Sequence, residues 1–146
     1  MKYRIAILSL GLLFSCKSTD MLASNRQANL SKPIGPYSYA RNDGDLIFLS
    51  GQIGIDPLTD TLKKGVEEQT KQIFENLKVI LKNNDSDVDH IIETTIFLTD
   101  IKHFEQVNDI YSSYFQHQFP ARSTIVVVAL PKNALLEIEC IAVKTR

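Results

Sequence analysis

The stretch from Arg122 to Leu130, RSTIVVVAL, is apolar on both of its faces beyond Thr124. Side chains alternate along a strand, so Ile125, Val127 and Ala129 share one face while Val126, Val128 and Leu130 share the other. Helices of the same chain can cover one such face. The second needs an apolar cover that a chain of 146 residues, enough for one domain, does not hold in reserve. Neighbouring copies in a closed cyclic assembly would supply it. The segment from Leu135 to Val143, LLEIECIAV, makes the same demand. Its residues Leu136, Ile138, Cys140 and Ala142 form one apolar face, whereas the opposite face runs from Glu137 and Glu139 to Ile141 and Val143. A face charged at one end and aliphatic at the other is not built for water alone, and it predicts contact with another subunit. Arg122 and Glu137 both fall on strand faces of this interface type.

The remaining elements follow from periodicity. Val66, Ile73, Phe74, Leu77, Ile80 and Leu81 make one apolar stripe of a helix, with Glu67, Glu68, Lys71, Glu75 and Lys82 on the wet side. NNDSDVD ends it, and HIIETTIFLTD then reads as a strand rich in Ile, Thr and Phe whose Asp100 can cap a second helix. That helix places Phe104, Val107, Tyr111, Tyr114 and Phe115 on one face, and Pro120 bars it from continuing past Phe119. Upstream, DLIFLSG is a short strand closed by Ser50 and Gly51, followed by turn chemistry at Asp56-Pro57-Leu58-Thr59-Asp60. The order β-β-α-β-α-β-β predicts an α+β domain, a sheet with both helices packed on one face.

The first 32 residues follow a different logic. Lys2 and Arg4 precede an apolar run, Ile5 to Phe14, too short to span a bilayer, and the run ends LLFSCKS. This resembles a bacterial lipoprotein signal over residues 1–16, with Cys16 the residue that would be lipidated, and implies an exported protein held at a membrane of the cell envelope. Residues 17–32 are rich in Ser, Thr, Asp, Asn and Gln, with Leu22 and Leu30 the only large aliphatics, and read as a flexible tether. The prolines and glycine of KPIGPYSYA mark entry to a domain spanning 33–146.

Several polar residues bear on function. A guanidinium cannot shed its charge, so Arg122, at the mouth of an apolar strand, calls for a carboxylate or phosphate to face it. A formal net charge of -1 and the lack of a Lys/Arg-rich run argue against nucleic acid as the source of that anion. Asn108 sits on the flank of the second helix's apolar stripe, where its amide is either bonded locally or contacts a ligand. Gly51 permits close backbone approach by a ligand, while Ser50 lacks the Gly-x-Ser-x-Gly elbow of a nucleophile. His90, His103 and His117 show no metal-ligand spacing, and Cys140, on the apolar face, reads as a small hydrophobe.

IGPYSYA, FLSGQIGID, FEQVNDIY, FPARSTIVVVALP and LLEIECIAV, in this order from Ile34 to Val143, closely resemble the reactive intermediate deaminase family, RidA-like proteins also called YjgF. The leader and tether lie outside the resemblance. It implies a chorismate-mutase-like α+β fold, a homotrimer with clefts between subunits, and hydrolysis of enamines and imines such as 2-aminoacrylate to 2-keto acids and ammonia. By position, Arg122 resembles the carboxylate-binding arginine and Glu137 the acid that positions water. Tyr37, Ser50, Gly51 and Asn108 resemble the remaining cleft wall. Thr124 stands where the bacterial deaminases commonly carry a cysteine, a departure that bears on substrate preference.

The residue chemistry agrees with those roles. Arg122 can hold the carboxylate of a 2-imino acid through two parallel charge-assisted hydrogen bonds. Imine hydrolysis then needs an oriented water and a proton carrier, with no cofactor or metal. A module that only bound a carboxylate would need the arginine alone, so Glu137 beside Arg122 favours catalysis over binding. A chorismate mutase, with a dicarboxylate to hold, would want several cations.

Overall fold

In the computed structural model, which describes Leu30 and residues 33–145, the sheet is built around the segment LEIECIAV. The elements in chain order are strands β1 (Ala40–Asp43) and β2 (Leu46–Gln52), a small ribbon of β3 (Ile55–Asp56) and β4 (Thr61–Leu62), helix α1 (Gly65–Lys82), β5 (Ile91–Leu98), helix α2 (Phe104–Ser112), β6 (Ala121–Val126) and β7 (Leu136–Val143). Five strands form one mixed sheet in the order β1-β2-β7-β5-β6. The last strand, β7, inserts at the centre, antiparallel to both β2 and β5, while β6 lies parallel to β5 on the edge. Parallel neighbours cannot be joined by a tight hairpin, so the chain crosses over through α2 between them.

The alternation in β7 sets the layers. Leu136, Ile138, Cys140 and Ala142 are buried beneath the helices, together with Ile47 of β2 and Ile96 and Leu98 of β5. From α1, Ile73, Phe74, Leu77, Ile80 and Leu81 close over them, the stripe its spacing predicts. Phe74 anchors an aromatic cluster, stacked on Tyr114 at 4.1 Å and meeting Tyr111 edge-on at 5.7 Å. Truncating such a fully buried ring to alanine costs about 3–5 kcal/mol. Asp100 accepts a hydrogen bond from the Lys102 amide at 2.9 Å, capping a one-turn 3-10 segment that leads into α2.

Three expectations need correction. The strand beginning at Arg122 ends at Val126 rather than Leu130, because β5, its pairing partner, ends at Leu98, whose carbonyl accepts the Val127 amide as the last bond of the ladder. Helix α2 stops at Ser112, well before Phe119. There the hydroxyls of Ser112 and Ser113 donate to the carbonyls of Asp109 and Ile110, at 2.9 and 2.6 Å, and Tyr114 and Phe115 turn in to join Phe74. Finally, a helix meets β6 only near its start, where Arg122 rests on rings of α2, and the rest of that edge strand is largely uncovered: Ile125 and Val126 are about half exposed, and Val128, just beyond the strand, is fully exposed. The opposite sheet face, carrying Phe48, Glu137, Glu139 and Ile141, has no helix over it among the described residues.

The predicted leader, Cys16 with it, lies outside the described residues, as does most of the stretch expected to be a tether. Leu30, within that stretch, is half-buried and packs against the core.

Candidate functional site

Strand register decides where the polar residues point. Arg122 pairs with Thr94 across β5 and β6, and Thr94 is buried under α2 with its hydroxyl 2.9 Å from that of Tyr111. Arg122 therefore emerges on the helix side of the sheet. Glu137 pairs with Phe97 and Glu139 with Thr95, one residue out of phase with the buried set, on the open side. The sequence placed Arg122 and Glu137 alike on subunit-facing strand faces; in one protomer they lie on opposite faces with β5 between their strands.

Each of the two sits in its own hollow. The first, about 410 Å³, is lined by Asn108, Tyr111, Ser112, Phe119, Pro120 and Arg122. Among the described residues no carboxylate lies within ion-pair distance of Arg122. Its guanidinium instead rests over two rings, with the central carbon 4.9 Å from the centre of Tyr111 and 5.8 Å from that of Phe104. Burial pushes the Tyr111 phenol above its ordinary pKa, more than the Thr94 hydrogen bond and the Arg122 charge lower it. Asn108 is half-buried beside the arginine, and its side chain makes no hydrogen bond within the described residues, which leaves its amide directed to the hollow. Thr124, two residues along on the same side of β6, is half-buried and lines neither hollow.

The second hollow, about 340 Å³, gathers Tyr37, Ser50, Gly51, Glu137 and Glu139, with Ile34, Ile53 and Pro131 as apolar walls. Here β2 carries an extra residue: Leu49 pairs with Cys140 and Gln52 with Ile138, three steps on one strand against two on the other. The bulge falls at Ser50 and Gly51. Gln52 holds it from beneath, its amide donating to the carbonyls of Ser50 at 2.9 Å and Gly51 at 3.2 Å. The Ser50 hydroxyl donates to the Ser38 carbonyl at 2.7 Å, which leaves its oxygen as an acceptor. The close approach expected at Gly51 is made by Glu137 rather than by a ligand. A β-carbon at residue 51 would run into the Glu137 carboxylate and stand 2.7 Å from its carboxyl carbon. Half-buried there, Glu137 has its pKa raised, first by desolvation and then by the charge of Glu139.

Four contributors were not legible as site residues. Phe104 and Tyr111 read as part of a packing stripe, and Glu139 as part of a subunit-facing strand face with no role of its own. Gln52 was passed over because strict alternation from Ile47 and Leu49 would put it on the open side, and only the bulge turns it inward. Cys140 is a buried thiol raised to about 12, mainly by desolvation, in keeping with a packing role.

A sequence profile described as Endoribonuclease L-PSP matches residues 27–144. Reactive Intermediate Deaminase A, chloroplastic, of Arabidopsis thaliana is 47% identical over 110 residues, covering 75% of this chain and 59% of that one. Among solved structures, the Rid-family protein YyfA of Yersinia pestis aligns with a TM-score of 0.77 at 47% identity, covering 80% of this chain and 94% of its own. TdcF of E. coli, solved with bound serine, aligns at TM-score 0.77 and 36% identity, covering 81% and 95% of the two chains.

Proposed function

The chain belongs to the Endoribonuclease L-PSP family, the group that includes reactive intermediate deaminases, and from that premise we propose that it hydrolyses enamine and imine intermediates such as 2-aminoacrylate to 2-keto acids and ammonia. The observation that carries this reading is a division of labour: one hollow offers a guanidinium with no ion partner among the described residues, the other a half-buried carboxyl with heightened proton affinity. Neither is a complete site. In a homotrimer, the Arg122 hollow of one protomer closes against the Glu137 hollow of the next, which also covers the bare faces of β6.

In that cleft Arg122 and Asn108 take the substrate carboxylate, and Glu137 works at the other end. An enamine first becomes the imine by gaining a proton at its β-carbon and losing one from nitrogen. As the water oxygen bonds to the imine carbon, the Glu137 carboxylate accepts a proton from the water and passes it to the nitrogen that receives the C=N electron pair, giving the carbinolamine. Glu137 then takes the carbinol hydroxyl proton and passes it to the leaving nitrogen as the C–N bond breaks, so imine and water become keto acid and ammonia. Ser50 offers an acceptor for the water, and Tyr37 walls the hollow. Positioned acid–base groups contribute about 10²–10⁴-fold. The RNA cleavage named in the family description fits less well, because the chain has a formal net charge of -1 and each hollow holds at most one cation.

The test generates 2-aminoacrylate in situ with a serine dehydratase and follows keto-acid release. Wild type accelerates release, Arg122→Ala abolishes the acceleration and Glu137→Ala greatly reduces it; variants equal to wild type would show that the site is misassigned. A second reading, binding of a small carboxylate without turnover, draws on the serine held by TdcF and takes over if wild type fails on several amino-acid-derived imines.

The same proposal places the protein in the cell envelope, exported by its leader and anchored through Cys16. Metabolic labelling with a lipid precursor, compared with Cys16→Ala, tests this; equal labelling of the two would remove the anchor.

A further inference from the structure

We propose that Phe104 and Tyr111 are positioning residues for carboxylate recognition, an aromatic floor that aims the Arg122 guanidinium while leaving its hydrogen-bond donors open to the ligand. This rests on the carboxylate-binding part of the function proposed above and goes beyond it by assigning residues that the sequence placed in the packing stripe of α2.

An arginine at a binding site has to satisfy two opposed needs. It must be held still, and its N–H groups must remain free. A protein carboxylate would hold it but would occupy the donor edge that the ligand requires. In this fold the guanidinium meets ring faces instead, 4.9 Å from the centre of Tyr111 and 5.8 Å from that of Phe104, with no carboxylate in ion-pair range among the described residues. Contact with a π face orients the planar cation and uses none of its five donors.

The floor is itself fixed. Tyr111 is buried, meets Phe74 edge-on at 5.7 Å, and its hydroxyl is joined at 2.9 Å to that of Thr94, the residue that pairs with Arg122 across the sheet. One strand pair thus supplies both the arginine and the group that locks the ring beneath it. Phe104 opens α2 just after the Asp100 cap, so the start of the helix is registered against the same arginine. The edge of the guanidinium away from the rings is left facing the hollow lined by Asn108, Phe119 and Pro120.

Phe104 is the better probe because it is only half-buried, whereas altering Tyr111 opens the core. The experiment titrates full-length wild type, Phe104→Leu and Phe104→Tyr with pyruvate as a carboxylate probe by calorimetry, and measures kcat and KM for 2-aminoacrylate hydrolysis alongside melting temperature. Phe104→Leu keeps the apolar bulk but removes the π face, so probe Kd and KM rise about five-fold, the equivalent of about 1 kcal/mol, while kcat stays within two-fold. Phe104→Tyr, which keeps the ring, restores wild-type affinity. Unchanged Kd and KM in Phe104→Leu would overturn the floor while leaving the deaminase intact. Loss of kcat and melting temperature with affinity unchanged would reduce Phe104 to a packing residue. If wild type binds pyruvate without turnover and Phe104→Leu weakens binding, the floor stands and the deaminase reading fails. If wild type binds no pyruvate and Phe104→Leu leaves KM for 2-aminoacrylate unchanged, the floor is overturned, and if wild type also shows no turnover, the deaminase reading fails with it.

Discussion

Replacing Gly51 by alanine separates catalysis from folding in this protein. Gly51 is not among the glycines with positive φ, so its backbone conformation suits an L-residue, and the three atoms nearest its missing β-carbon all belong to the Glu137 side chain. The new methyl would therefore strain nothing in the fold and, by stiffening the unfolded chain, would add up to about 0.5–1 kcal/mol of stability. Its effect on the site is the opposite. The added carbon would meet the carboxylate head-on, 2.7 Å from Cδ and 3.0 Å from Cγ, whereas ordinary carbon contacts lie at about 3.5–4.0 Å. The carboxyl must retreat by about 1 Å, and a displacement of that size in a positioned group costs on the order of 10²-fold. The expected outcome is a melting temperature equal to or slightly above wild type with kcat/KM for imine hydrolysis reduced about 10²-fold. Calorimetry and the in situ 2-aminoacrylate assay check the two halves. Full activity in a folded Gly51→Ala protein would show that the seat of Glu137 against residue 51 plays no part in the reaction.

Protonation gives a second handle. Because the folded pKa of Glu137 is raised, its contribution to stability is full below the ordinary glutamate value and is lost as pH rises through the folded one. Glu137→Gln should therefore gain stability relative to wild type between acid and neutral pH in urea melts. Glu139→Gln should shift the acid limb of the kcat/KM profile downward, since the Glu139 charge is part of what raises Glu137. In a Cys16→Ser background, Cys140 should react with a thiol reagent at pH 8 at least about 10³-fold more slowly folded than in urea, because reaching it requires opening of the core. Ile125→Asp, on the open face of β6, should yield a smaller species in sedimentation analysis; an unchanged assembly would remove β6 from the subunit interface.

What could be read from the sequence was whatever depends on local period. The stripe of α1 and the alternation of β7 are set by residues within a few positions of one another, and both appear in the fold as spaced. The end of β6 was hidden because it is decided by where β5 stops, more than twenty residues upstream. The face of Arg122 was hidden for a related reason: the parallel register of Thr94 with Arg122 is a long-range pairing, and a one-residue slip reverses every side chain. Gly51 was legible as a place of close approach, but its visitor, Glu137, arrives from β7 across a bulge with no marker in LSGQ beyond the glycine. Phe104 and Tyr111 show a different ambiguity, since one ring can pack a core with its edge and carry a cation on its face.

The unclothed edge of β6 links the lifetime of the protein to its abundance. A solitary protomer leaves Ile125 and Val126, and Val128 just past them, in water at a strand whose outer backbone groups await a partner, the condition under which chains aggregate or are taken by proteases. Association protects the folded form by mass action, so melting should move to higher temperature as protein is concentrated.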